Sequence, residues 1–187
     1  MEKQDYYQNH FLIAMPGLDD LNFTRAVIFV EEHNEDGAIG VVINKPLHLN
    51  IGNMMEHLNI PITDNSISNQ PVFMGGPVGQ DQGFVLHRPF PNDQSNEDQD
   101  AEIIISASKE ILRSIASNTG PPEYIIALGY SGWEPGQLEI EIQQNDWLTV
   151  PCDPNILFNT PSDQRWSAAG KLLGIDVNQL SDLSGHA

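Results

Sequence analysis

Short apolar runs, punctuated by Pro, Gly and Asn or Asp, set the rhythm of this chain, and in the first half they are strand-sized. His10-Phe-Leu-Ile-Ala-Met-Pro16 reads as a first strand closed by a Pro-Gly turn. Residues 25–31 and 37–43 are β-branched runs on either side of the polar connector His33-Asn-Glu-Asp36, which predicts a hairpin. Ile51, Met54, Met55 and Leu58 then recur at helical spacing ahead of Pro61, predicting a short amphipathic helix. Residues 71–75 and 83–87 flank Gly76-Pro77-Val78-Gly79, as in a second hairpin or a tight connection.

Helices alternate with strands in the second half. Residues 102–105 read as a strand, and Ser106 or Ser108 can cap a following helix whose apolar face is Ile111, Leu112 and Ile115. Gly120-Pro-Pro122 ends that helix, and residues 123–128 form the next strand before the Gly129-Tyr-Ser-Gly-Trp133 turn. Residues 135–144 favour a helix started by Pro135, although alternating Leu138, Ile140 and Ile142 also fit a strand. Residues 147–150 are the last strand, Asp153-Pro154 caps a short turn of helix to Phe158, and residues 161–173 form a helix stopped by Gly174. This order argues for an α+β fold around a mixed sheet rather than a doubly wound parallel one.

The length of 187 residues, 40% apolar, fits one domain spanning residues 1–187. Its interior is interrupted by Asn92-Asp-Gln-Ser-Asn-Glu-Asp-Gln-Asp100, a stretch without a large apolar or basic residue, which predicts a mobile acidic loop over about residues 90–101. The single Cys152 excludes an intramolecular disulfide framework and suits a reducing compartment. A polar start and apolar runs far shorter than a bilayer span make a cytoplasmic protein without membrane contact the expectation.

Charge changes the functional picture. With 26 acidic residues against 8 Lys and Arg, the net charge of −18 opposes nucleic acid, whose binding rests on phosphate contacts from clustered cations. Candidate chemistry is sparse. Ser106-Ala-Ser-Lys109 has the Ser-x-x-Lys spacing of an activated nucleophile but lacks the companion segments of that acyl-transfer class, and a plain helix cap explains it as well. Gly129-Tyr-Ser-Gly-Trp133 would be a nucleophile elbow around Ser131, except that Trp133 stands where the pattern needs glycine. Gly75-Gly76-Pro77-Val78-Gly79 is a turn with, at most, the backbone N–H groups of an anion nest. The six histidines show no metal-ligand spacing, and Glu31-Glu32-His33 is the nearest thing to a cluster, so neither metal nor cofactor is implied. Cys152, beside Asp153, lacks the cationic neighbours that activate a thiol.

Leu12-Ile-Ala-Met-Pro16, Gly40-Val-Val-Ile-Asn-Lys-Pro46, Gly75-Gly-Pro-Val78, Gly83-Phe-Val-Leu-His87, Gly129-Tyr-Ser-Gly-Trp133, Pro135-Gly-Gln-Leu-Glu139 and Arg165-Trp166 follow one another in an order that resembles the AlgH/YqgE family over roughly residues 11–176. The resemblance implies a largely antiparallel, mixed sheet curled into a partial barrel with helices packed on it. It also implies a group of bacterial proteins often labelled transcriptional regulators, and it carries no catalytic residues. The matching stretch holds Arg25, His33, Asn44, Lys45, Gly75, Gly76, His87, Tyr130, Trp133 and Arg165, a polar, glycine-rich set with more cations than the chain average. If they converge, they form a pocket for a small anionic ligand or a protein partner; the alternative is that they are fold-defining turns. A non-catalytic regulatory or binding module is the reading that fits best, ahead of an enzyme of unknown reaction and of a direct DNA binder.

Overall fold

The computed structural model describes residues 6–93 and 100–180. Residues 94–99, the centre of the expected mobile acidic loop, lie outside them. Among the described residues nine strands occur in the order β1 (His10–Ala14), β2 (Val27–Asn34), β3 (Gly37–Val42), β4 (Pro46–Asn50), β5 (Pro71–Met74), β6 (Val78–His87), β7 (Ile104–Ser106), β8 (Tyr124–Trp133) and β9 (Trp147–Pro151). The helices are α1 (Ile51–His57), α2 (Asn65–Ser68), α3 (Lys109–Ala116), α4 (Gln137–Gln143), α5 (Pro154–Asn159), α6 (Arg165–Leu172) and α7 (Val177–Leu180). The fold is α+β, and its mixed, mostly antiparallel sheet follows the path β4-β5-β8-β3-β2-β1-β9 without closing. The one parallel pair among the described strands is β5 with β8.

Strands β1 and β2 are covered on both faces, which is why they read as unbroken apolar runs instead of alternating ones. Phe11, Ile13, Val27 and Phe29 pack with Leu157, Trp166, Ala169 and Val177 under α5, α6 and α7. Leu12, Ala14, Ile28 and Val30 face the other way, toward Trp133, Leu138 and Trp147 under α4. A third cluster joins Met55, Ile111, Ile115 and Ile126 beneath α1 and α3. Each of these fully buried large side chains contributes about 1.5–3 kcal/mol of apolar transfer.

Strand β8 organises the remainder. Its first half lies between β5, through Phe73 opposite Ala127, and β6, through Phe84 opposite Ala127. Its second half pairs with β3, Ser131 opposite Gly40 and Trp133 opposite Ala38. The expected hairpin of residues 71–75 with 83–87 is therefore corrected: β8 runs between those strands, and only the tight connection through Gly76-Pro77 survives. The expected turn at residues 129–133 is corrected too, since β8 continues through it. At Gly129 (φ 78°) the strand bends and exchanges β5 for β3 as its neighbour. Strand β4 was not anticipated; it starts at Pro46, whose missing N–H is tolerated on this edge strand.

Candidate functional site

Asn44, just after β3, reaches across to the start of β2. Its Oδ1 accepts the Val27 N–H at 2.8 Å, and its Nδ2 donates to the Arg25 carbonyl at 2.8 Å. Arg25 sits in the left-handed region at φ 55°, and its guanidinium lies 5.1 Å from the centre of the Trp166 ring, a cation–π contact. Trp166 is anchored in turn through its indole N–H to the Ala14 carbonyl at 2.9 Å. The ends of the central strands β2 and β3, together with α6, thus hold a basic side chain over an aromatic face.

These residues line an open cavity of about 480 Å³ between the β2 and β4 approaches and α6. Lys45 and Lys171 also line it, with Asp163 as an acidic member of the wall. Gln164, Ser167 and Lys171, spaced three to four residues apart, come from one face of α6 and the turn before it, with Ala168 beside them. Partial burial lowers the Lys45 ammonium below its ordinary pKa, against an opposing pull from Asp20. Behind the wall, Arg165 is 5% exposed; it donates through Nε to the Thr160 carbonyl at 2.9 Å and through Nη1 to the Ile43 carbonyl, and stacks on Phe73 at 5.0 Å. Burial pushes its guanidinium down to about 10. No carboxylate pairs with it among the described residues. Arg25, Lys45 and Lys171, three of the chain's eight Lys and Arg, line this cavity, and the buried Arg165 bonds to the Ile43 carbonyl one residue before Asn44.

The other expected site residues lie elsewhere. His33 is buried, with Nδ1 accepting the Tyr7 N–H at 3.0 Å, so Nε2 carries the proton and donates to Glu139 at 3.0 Å. Trp133 donates its indole N–H to Glu141 Oε2 at 2.9 Å, and Trp147 donates to the same oxygen at 2.9 Å. Gly75 and Gly76 are spent against β8: Gly75 N–H donates to Leu128 and its carbonyl accepts from Val42, while a Cβ at either glycine would collide with β8 backbone. The turn they form offers its backbone to protein rather than to an anion. Tyr130 packs edge-on against Phe84. Ser131 is buried and donates to the Gly75 carbonyl at 3.3 Å, which removes it as a nucleophile. His87 is buried at the far end of β6.

Within the set expected from the sequence, Arg25, Asn44, Lys45 and Arg165 come together, whereas His33, Gly75, Gly76, His87, Tyr130 and Trp133 do not. Lys171 and Trp166 were missed. Their signal was present, as Lys171 sits on the same helical stripe as Gln164 and Ser167, but nothing local says which sheet edge that stripe faces. No group of three or more His, Cys, Asp or Glu placed to hold a metal occurs among the described residues.

A family model described as AlgH-like matches residues 11–178. The chain belongs to the AlgH-like family. A UPF0301 protein of Coxiella burnetii is 51% identical over 187 residues, covering all of both chains, and one of Nitrosococcus oceani is 46% identical over the same full lengths. The solution structure of the AlgH protein from Pseudomonas aeruginosa superposes with a TM-score of 0.78 at 43% identity, covering 100% of this chain and 99% of that one. A crystal structure from Corynebacterium diphtheriae, 20% identical with a TM-score of 0.72 over 97% of this chain and 94% of its own, shares the fold. In this chain β8 passes between two sub-sheets, and the cationic cavity is built where β2 and the β3–β4 link meet α6. No described helix is long and apolar enough to cross a membrane.

Proposed function

We propose that this AlgH-like protein is a regulatory binding module whose ligand is a small anion held in the cavity between Arg25, Lys45 and Lys171. The observation that carries the reading is that three of the chain's eight basic side chains, Arg25, Lys45 and Lys171, line one concave place while the whole molecule bears a net charge of −18. A protein so acidic repels free anions at long range. Affinity must therefore come from short-range contacts: the Arg25 fork held over Trp166, the partly desolvated Lys45, and the buried Arg165 charge behind them.

The same charge argues that any influence on transcription passes through this ligand or through a protein partner rather than through DNA.

Isothermal titration with inorganic phosphate, a phosphomonoester and a dicarboxylate tests the proposal. Saturable binding is expected for at least one of them, with affinity reduced tenfold or more in a Lys45→Gln, Lys171→Gln double variant and weakened by added salt. Absence of saturable binding across the three anions, or binding indifferent to the double substitution, overturns it.

A further inference from the structure

His87 and Ser106 were singled out separately, one as a family-motif residue and one as the Ser of a Ser-x-x-Lys pattern, and the binding reading uses neither. In the fold they are partners. The pairing of β6 with β7 places Val85 opposite Ser106, and Ser106 Oγ stands 2.8 Å from His87 Nε2. The other imidazole nitrogen, Nδ1, is 2.9 Å from the Arg88 carbonyl oxygen. A carbonyl only accepts, so Nδ1 carries the ring proton, Nε2 is left with its lone pair, and the Ser106 hydroxyl donates to it. This is the tautomer a general base needs beside a serine nucleophile. The Asp93 carboxylate oxygen Oδ2 lies 3.9 Å from Nδ1.

Ser106 lines an apolar groove of about 650 Å³ between α1, α3 and the β6–β8 face. Val85 and Ile126 form its floor, and Leu49, Met54, Leu112 and Leu128 its walls. The volume falls within the roughly 300–1,000 Å³ common for small-molecule sites. Ala107, Ser108 and Lys109 line the same groove. Ser108 is the N-cap residue of α3 but makes no side-chain cap, contrary to the capping role expected for it or Ser106. Helix α3 thus begins three residues after Ser106, at the rim of the groove that Ser108 and Lys109 line.

We propose that Ser106 and His87 are the nucleophile and general base of an acyl hydrolase site, whose substrate is a carboxylic ester or thioester with an apolar acyl chain. Ser106 Oγ bonds to the acyl carbon as its proton passes to His87 Nε2. The bond from the acyl carbon to the leaving oxygen or sulfur breaks, and that atom takes the proton from Nε2. Water then adds to the acyl-serine, giving a proton to Nε2; the Ser106 oxygen leaves and recovers it, and the free carboxylic acid departs. The described residues lining this groove and those lining the cationic cavity are different, so the activity is independent of the anion site.

The test uses the full-length protein. An alkyl fluorophosphonate is added and the adduct located by peptide mass spectrometry, while hydrolysis of p-nitrophenyl acetate, butyrate and octanoate is followed in parallel. The expected result is a single adduct on Ser106, with kcat/KM rising at least tenfold from acetate to butyrate, about fourfold per methylene buried, and falling a hundredfold or more in Ser106→Ala and in His87→Gln. Labelling is read on the unsubstituted protein, so a variant that fails to fold leaves the test intact. No adduct, an adduct elsewhere, or no preference for the longer chain overturns the proposal.

Discussion

Asn44 holds Arg25 from the side: its amide donates to the Arg25 carbonyl and accepts from Val27 two residues on, both at 2.8 Å, fixing the left-handed backbone from which Arg25 reaches Trp166. A non-glycine residue in that region stores about 1 kcal/mol or more of strain unless its surroundings compel it. Asn44 is what compels it here. Asn44→Ala is expected to cost about 1–3 kcal/mol in urea unfolding, because the Val27 N–H loses its acceptor, and to weaken anion binding as Arg25 relaxes. Arg25→Gly should separate the two effects. Glycine adopts the positive φ freely, so stability should stay within about 1 kcal/mol of the parent while the titration heat with the bound anion falls tenfold. Equal losses in both measurements would show that Arg25 is structural only.

Two glycines at nearly the same φ separate backbone strain from crowding. Gly129 (φ 78°) and Gly136 (φ 77°) both favour glycine, but a Cβ at Gly129 would lie 2.5 Å from the Gly76 carbonyl oxygen, whereas nothing lies within 4 Å of one at Gly136. Gly136→Ala is expected to cost about 1 kcal/mol. Gly129→Ala should cost at least about 3 kcal/mol or prevent folding, since β8 can no longer cross Gly75-Gly76. Thermal unfolding of the two variants measures the difference, and similar melting temperatures would contradict it.

Trp133 and Trp147 donate to one oxygen of Glu141, while Gln137 donates to the other at 2.9 Å. Glu141→Ala leaves two largely buried indole N–H groups without their acceptor, an expected loss of about 2–4 kcal/mol. The anion affinity should be unchanged in the folded fraction, because none of these residues lines the cationic cavity. Calorimetric titration at a temperature well below unfolding tests that separation.

Cys152 is held as a thiol. Burial, with Asp153 and then Glu102 adding to it against a weaker pull from Arg88, pushes its pKa well above the free value of 9.0. Iodoacetamide at pH 8 should therefore modify the native protein far more slowly than the urea-unfolded chain. The sign of the linkage follows. The folded state disfavours the thiolate, so this contribution to stability is complete below pH 9 and declines as the pH rises beyond it, where only the unfolded chain ionises. Cys152→Ala should flatten that alkaline decline in a series of urea titrations.

Periodicity along the chain was sufficient for the local elements. Unbroken apolar runs marked β1 to β3, helical spacing marked α1 and α3, and the spread of cations through the family motifs was visible as a list of residues. Helix α4 emerged from a pattern that also fitted a strand, because Leu138 is buried while Ile140 is 53% exposed, so the alternating apolar residues do not share a fate. Pairing was not legible. That β8 should separate β5 from β6, and bend at Gly129 to meet β3, depends on which backbones can approach closely, and that is a relation between glycines more than fifty residues apart. The sites follow the same logic. Asn44 beside Arg25, Lys171 across from Lys45, and Ser106 against His87 owe their proximity to strand register and helix docking, which local spacing does not encode. The sequence by itself determined the α+β class, the acidity and the residue types available for chemistry. Only the tertiary structure decided which of those residues meet, because hydrogen-bond reach is about 3 Å and the chain closes that distance only when the whole sheet is assembled.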